Sequence, residues 1–160
     1  MSAVKDIKTN YPPEAIFQAS RELALEKFKR EADGLALSRP ADCIEVLRSQ
    51  FEGRDHECFI VAYLDSRHRV IKIIEEFHGT IDGACVYPRV VAANALALGA
   101  GAVVFAHNHP TGVSEPSLAD QSITRRLKEA LSMLEIRTLD HFVFGRPDEQ
   151  PTSMAERGMI

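Results

Sequence analysis

The chain has no apolar run long enough to cross a bilayer, which takes about 18 or more successive residues. Its first residues, Met1-Ser2-Ala3-Val4-Lys5-Asp6, lack the apolar core of a secretory leader. Both absences point to a cytoplasmic protein with no membrane partner. Cysteine is scarce: Cys43, Cys58 and Cys85 are odd in number, widely spaced and free of any Cys-x-x-Cys pair. That pattern suits reduced core residues and argues against a disulfide framework or a thiolate metal cage. Lysine and arginine form no block. The net charge is −4, and the short runs Lys27-Phe28-Lys29-Arg30 and Arg125-Arg126 are flanked by acidic residues, as on solvated helix faces. The electrostatic footprint of a nonspecific nucleic-acid binder is therefore missing, and only a local basic patch stays open.

What remains is 160 residues with 45% apolar content, enough for one globular domain with an ordinary core and an appendage. No internal repeat is evident. Pro12-Pro13-Glu14 opens a helical stretch to about Asp33, where Gly34 ends it. Ser38-Arg39-Pro40 starts a second, with Ile44, Val46 and Leu47 as apolar candidates before Gly53. We place a boundary near Arg54, giving a helical extension over 1–53, a main domain over 54–146 and a tail over 147–160. The helical extension can pack on its own domain or on a neighbouring copy, so a homo-oligomer stays open.

Within the main domain, strand patterns flank Asp65-Ser66-Arg67-His68 as in a hairpin, and Gly79-Thr80-Ile81-Asp82-Gly83 reads as a further turn. Pro88 to Leu98 is alanine-rich and helical, with Gly99 ending it. A last strand pattern contains Asp140-His141, and the tail, with Pro147, Pro151 and Gly158, has no periodicity and is expected as an extended or mobile end. The expected fold class is α/β, a mixed central sheet with helices on both faces.

The densest chemistry lies between His107 and Asp120. Gly101-Ala102-Val103-Val104-Phe105-Ala106 reads as a buried strand that ends in His107-Asn108-His109-Pro110. Alternation puts His107 and His109 on one side and Asn108 on the other, the arrangement two imidazoles need to hold one ion. After a turn-rich loop from Thr111 to Pro116, Ser117 begins a helical pattern with Asp120 in its first turn. Ser117-x-x-Asp120 has two readings, a capping box and a metal-ligand carboxylate. The facing histidine pair gives weight to the second, since three protein ligands with a fourth position open is the catalytic zinc arrangement. His56, His68 and His78 read as surface residues without a second donor at ligand spacing. Asp140-His141 is more useful as support for a loop or a zinc ligand than as a catalytic dyad, which would need a nucleophile that is not there.

His107-x-His109-Pro110 followed by Ser117-x-x-Asp120 resembles the JAMM motif of the MPN domain metallopeptidases. The wording His-Asn-His-Pro-Thr-Gly, with Tyr87-Pro88-Arg89 upstream and Leu139-Asp140-His141-Phe142-Val143-Phe144-Gly145 downstream, is most similar to the bacterial RadC group of that superfamily. The resemblance implies an MPN-like sheet flanked by helices. It implies that His107, His109 and Asp120 bind Zn²⁺, that Ser117 donates a hydrogen bond to an oxyanion, and that an upstream glutamate activates the metal-bound water. Glu57, fifty residues before His107, is the preferred base, with Glu75 and Glu76 as alternatives. The chain departs from the group at Val90, where an acidic residue usually follows the Pro-Arg pair, so no substrate contact is assigned there.

Three function classes follow. The leading one is a zinc metallohydrolase cleaving a peptide or isopeptide amide, with a peptide or protein as substrate. A non-catalytic MPN-type binding or assembly module is the second, weakened by the retained ligands. A metal-dependent nuclease linked to DNA repair, suggested by the letters His-Asn-His, is the third, weakened because the nuclease motif of that name spreads its residues over a longer ββα unit, whereas His107, Asn108 and His109 are consecutive.

Overall fold

In the computed structural model, residues 12–29, 40–78 and 86–160 are described. Strands β1 (Cys58–Leu64) and β3 (Ala102–Asn108) are buried at every one of their seven residues, so both faces of the sheet they share must be covered. Helix α1 (Pro13–Lys29) precedes α2 (Pro40–Ser49), which lies on one face. Strand β2 (Val70–His78) flanks β1, and α3 (Pro88–Leu98) leads into β3. Helix α4 (Leu118–Ser132), strand β4 (Arg137–Phe144) and the two-residue β5 (Thr152–Ser153) complete the order. The strands lie β2-β1-β3-β4-β5, antiparallel except for the parallel β3–β4 pair, whose crossover carries α4. This is the expected α/β fold with a mixed sheet.

Strand alternation sorts the core into two layers. Ile60, Ala62, Leu64, Val104, Ala106, Phe142 and Phe144 meet Cys43, Val46 and Leu47 of α2. Phe59, Val61, Tyr63, Val103 and Phe105 meet Val91 and Ala95 of α3 and Ile123, Leu127 and Leu131 of α4. Residues on both sides of the boundary expected near Arg54 thus pack in one cluster, because α2 and Phe51 just after it supply apolar cover to that face. The hairpin turns where expected: Asp65 Oδ1 accepts from the amides of Arg67 and Arg69. Cys43 and Cys58 are buried free thiols, pushed up to about 12 and about 11 by burial first and nearby carboxylates second. The expected turn at Gly79–Gly83, the helix end at Asp33-Gly34, the start at Ser38-Arg39 and Cys85 lie outside the described residues.

The C-terminal segment, expected as an extended or mobile end, contains a short extended strand and packs against the sheet. Thr152 and Ser153 pair with Val143 and Phe142, and Met154 N–H donates to His141 C=O at 3.0 Å. Asp140 holds the segment: Oδ2 accepts from Ser153 Oγ–H at 2.6 Å and Oδ1 from Ala155 N–H at 3.0 Å. Met154 is fully buried. Arg48 of α2, with its guanidinium over the Phe144 ring, donates to the carbonyls of Pro147 and Glu149, so the intervening loop is tied down as well. Removing the buried thioether should therefore act as a core truncation. Met154→Ala is expected to lower unfolding stability by about 2–4 kcal/mol in urea titrations with an unchanged slope; a change below about 0.5 kcal/mol would mean a loosely held end.

Candidate metal centre

The strand parity that builds the second core layer also selects the site. His107 follows Phe105 on the α4 face of β3, and Glu57, one residue before β1, has the parity of Phe59, which pairs with His107. His109 lies just past β3, where its N–H donates to Phe144 C=O at 2.8 Å. Helix α4 then brings Asp120 in from above. Ligand atoms of Glu57, His107, His109 and Asp120 all fall within 4.8 Å of one another, with His107 and Asp120 buried and the other two half-buried.

Asp120 caps its helix and also faces the histidine pair. It closes a capping box: Oδ2 accepts from Ser117 N–H at 2.7 Å, while Asp120 N–H donates to Ser117 Oγ at 3.1 Å. The same carboxylate faces the histidines, with Oδ1 3.3 Å from His107 Nε2 and Oδ2 3.5 Å from His109 Nε2. Burial alone would raise its pKa. The neighbouring His107 and His109 imidazoles and the Ser117 hydroxyl together outweigh burial and hold the carboxyl far below the usual carboxylate range.

Hydrogen-bond direction decides what the two imidazoles present. Val113 C=O can only accept, so the 2.7 Å contact makes His109 Nδ1 a donor. A longer chain acts on His107. Thr124 donates its single hydroxyl proton to Asp120 C=O at 2.5 Å, so it must accept from His141 Nδ1 at 2.6 Å. His141 is fully buried, and burial first, with His107 second, holds its pKa well below the ordinary value, so the ring is neutral. Its bare Nε2 accepts from His107 Nδ1 at 2.7 Å. Both Nε2 lone pairs therefore point inward, 3.0 Å apart, at the carboxylate. Three inward acceptors are reconciled by a cation among them, either a proton or a metal ion. The donor set fits a divalent ion. With no metal, a proton takes that place: the Asp120 hydrogen bond raises His109 above its ordinary 6.5, helped by Val113 C=O and the Glu57 charge.

The loop between the histidines and α4 is shaped for this. Gly112 adopts φ +84°, and a Cβ on Gly145 would lie 2.5 Å from Gly112 O, so the turn rests directly on the backbone after β4 and aims Val113 C=O at His109. The other glutamates are engaged elsewhere. Glu75 pairs with Arg54 at 2.5 Å, and Glu76 accepts from Tyr63 Oη–H and Asn94 Nδ2. Ser117 is exposed and donates its hydroxyl to Asp120 Oδ2 at 2.6 Å.

Sequence reasoning missed Thr124, four residues from Asp120 on the buried stripe of α4, although that spacing was visible. It also missed a second set of close donors, His56, Cys58 and Glu75. There, burial keeps the Cys58 thiol protonated, Arg54 neutralises Glu75, and His56 Nδ1 contacts Asp55 at 2.8 Å. A cleft of about 370 Å³ lies beside Arg48, Phe51, Phe144 and Arg146; it meets the centre only through Asn108 and His109. No helix among the described residues is long and apolar enough to cross a membrane.

Residues 37–159 match the family model described as the RadC-like JAB domain. The chain is 45% identical over 147 residues to a UPF0758 protein of Stutzerimonas stutzeri strain A1501, covering 92% of this chain and 63% of that one. It is 50% identical over 147 residues to a UPF0758 protein of Marinobacter nauticus, covering 89% and 65%. A UPF0758 protein of Vibrio cholerae is 45% identical over 145 residues, covering 91% of this chain and 88% of its own. The chain thus spans less than two thirds of the Stutzerimonas and Marinobacter relatives.

Two outcomes follow from the directed lone pairs. Thr124→Val should lower divalent-metal affinity about 10–100-fold in chelator competition, and Thr124→Ser, which keeps the hydroxyl, should restore most of it. Proton and metal compete for His109 Nε2, and its pKa lies above 6.5. Affinity should therefore be at its plateau well above that value and fall about tenfold per pH unit below it. Asp120 stays anionic throughout. Affinity flat between pH 8 and 5.5 would contradict this assignment.

Proposed function

The chain belongs to the RadC-like JAB domain family, and from that premise we propose that it is a zinc metallohydrolase of the JAMM type that cleaves a peptide or isopeptide amide bond. The observation carrying this reading is the convergence of two imidazole nitrogens and a carboxylate with the Glu57 carboxylate, all within 4.8 Å. His107, His109 and Asp120 would hold the ion and leave a fourth position open. Zinc bound there would act as a Lewis acid on the scissile carbonyl and make water acidic near neutral pH.

The protein's own groups do the rest. Glu57, half-buried beside the ligands, accepts the proton of the attacking water and passes it to the leaving amine, the step that makes amide cleavage feasible. Ser117 turns its hydroxyl from Asp120 Oδ2 toward the oxygen on which negative charge develops; Asp120 keeps the Ser117 amide as its cap. Thr124 and His141 hold His107 in the ligating tautomer. Glu75 and Glu76, tied to Arg54 and to Tyr63 and Asn94, play no part. The substrate is a peptide or protein, and the buried free thiols fit a reducing, cytoplasmic setting. An assembly module would have no need of four converging donors.

The test is zinc content by elemental mass spectrometry followed by a peptide and isopeptide cleavage screen. Wild type should carry about one zinc per chain, lost in Asp120→Ala. Glu57→Gln should keep the metal and lose about 10²–10⁴-fold in turnover. Equal turnover by Glu57→Gln and wild type, or cleavage unaffected by loss of zinc, would overturn the reading.

A further inference from the structure

Asn108 lies between the two histidines and faces the other way, on the α2 side of the sheet, where the metal chemistry gives it no task. The antiparallel ladder between β1 and β3 ends at Phe59 opposite His107. Beyond that pair, His109 N–H turns away to Phe144 C=O of β4. The β1–β3 register does not extend into the chain before β1. The Asn108 side chain takes the place of the missing backbone. Its Oδ1 accepts from Cys58 N–H at 2.8 Å and its Nδ2 donates to His56 C=O at 3.0 Å.

Those two bonds bracket Glu57. They hold the peptide groups on either side of it, and a side-chain amide offers both a donor and an acceptor at that reach. The amide orientation is determined by the partners, since an N–H needs an acceptor and a carbonyl needs a donor. Asn108 is 7% exposed, so water does not compete well for either bond. Glu57 itself sits outside the strand, and the loop from Arg54 to Glu57 has no ladder of its own.

We propose that Asn108 is a positioning residue: it clamps the backbone of His56 and Cys58 so that the Glu57 carboxylate stands over His107, His109 and Asp120. The catalytic consequence rests on the hydrolase reading above; the clamp itself does not. A displacement of about 1 Å at a reacting group costs on the order of 10²-fold in rate, which sets the value of such a clamp.

The test is a cycle of Asn108→Ala, Glu57→Gln and the double variant, read by Zn²⁺ affinity in chelator competition and by amide hydrogen exchange at Cys58. Glu57→Gln should weaken zinc binding about tenfold, because a carboxylate facing the ion is lost. Asn108→Ala should weaken it several-fold in the wild-type chain and leave it unchanged in the Glu57→Gln chain, the coupling expected of a residue that acts through Glu57. Exchange at the Cys58 amide should speed up at least tenfold while β3 amides keep their protection. Asn108→Ser repeats the cycle should the alanine chain fail to fold. Equal losses on both backgrounds would make Asn108 a general structural residue and overturn the proposal, as would wild-type zinc affinity in Asn108→Ala. Failure to cleave any amide bears on the hydrolase reading alone, because neither measurement needs turnover.

Discussion

One buried carboxylate organises this molecule. Asp120 caps the helix that crosses from β3 to β4, and it also supplies the charge that makes a pair of inward-facing imidazoles tolerable in the core. A buried ionised group is costly unless its oxygens are satisfied. Here they are satisfied from two directions: the cap supplies the Ser117 amide and hydroxyl at the helix N-terminus, where the dipole favours negative charge. The histidines and whatever cation joins them supply the rest. Fold and site are therefore not separable at this residue, and the capping box and the contact with the two histidines are two uses of one side chain.

The sheet does the remaining positioning through parity. A period of two sends Phe59, Phe105 and His107 to the α4 layer and Ile60, Ala106 and Asn108 to the α2 layer. The layer that meets α4 thus contains His107, and the opposite side carries the amide that bonds the backbone on either side of Glu57. Parallel pairing of β3 with β4 adds His141 beside His107, and α4 presents Thr124 one turn after Asp120. A register slip of one residue would exchange every one of these sides, which ties the chemistry to the pairing of the two most buried strands.

Much of this was legible because it is local. His107 and His109 at i and i+2 on a β-branched apolar run, a short turn-rich loop and a helix opening with Asp120 lie within fourteen residues, and short-range spacing transmits well into geometry. Glu57 was not separable from Glu75 and Glu76 by pattern, since all three border strand patterns. They part only when long-range partners appear: Arg54 takes Glu75, and Tyr63 with Asn94 takes Glu76. The C-terminal segment was illegible for a different reason. A two-residue strand has no periodicity, and its order comes from Asp140, whose role required knowing what lies across β4.

That last contact also joins the end of the chain to the centre. Asp140 and His141 are neighbours on β4 that face opposite duties, one holding Ser153 and Ala155, the other holding His107. Between them the Met154 amide bonds the His141 carbonyl, and the Met154 sulfur lies 3.8 Å from Thr124 Oγ1. The hydroxyl that sets the His107 tautomer is thus buried beneath Met154. Water at that position would offer His141 alternative donors and acceptors and loosen the direction of the relay. A dry relay keeps one hydrogen-bond direction, and with it both imidazole lone pairs turned toward Asp120.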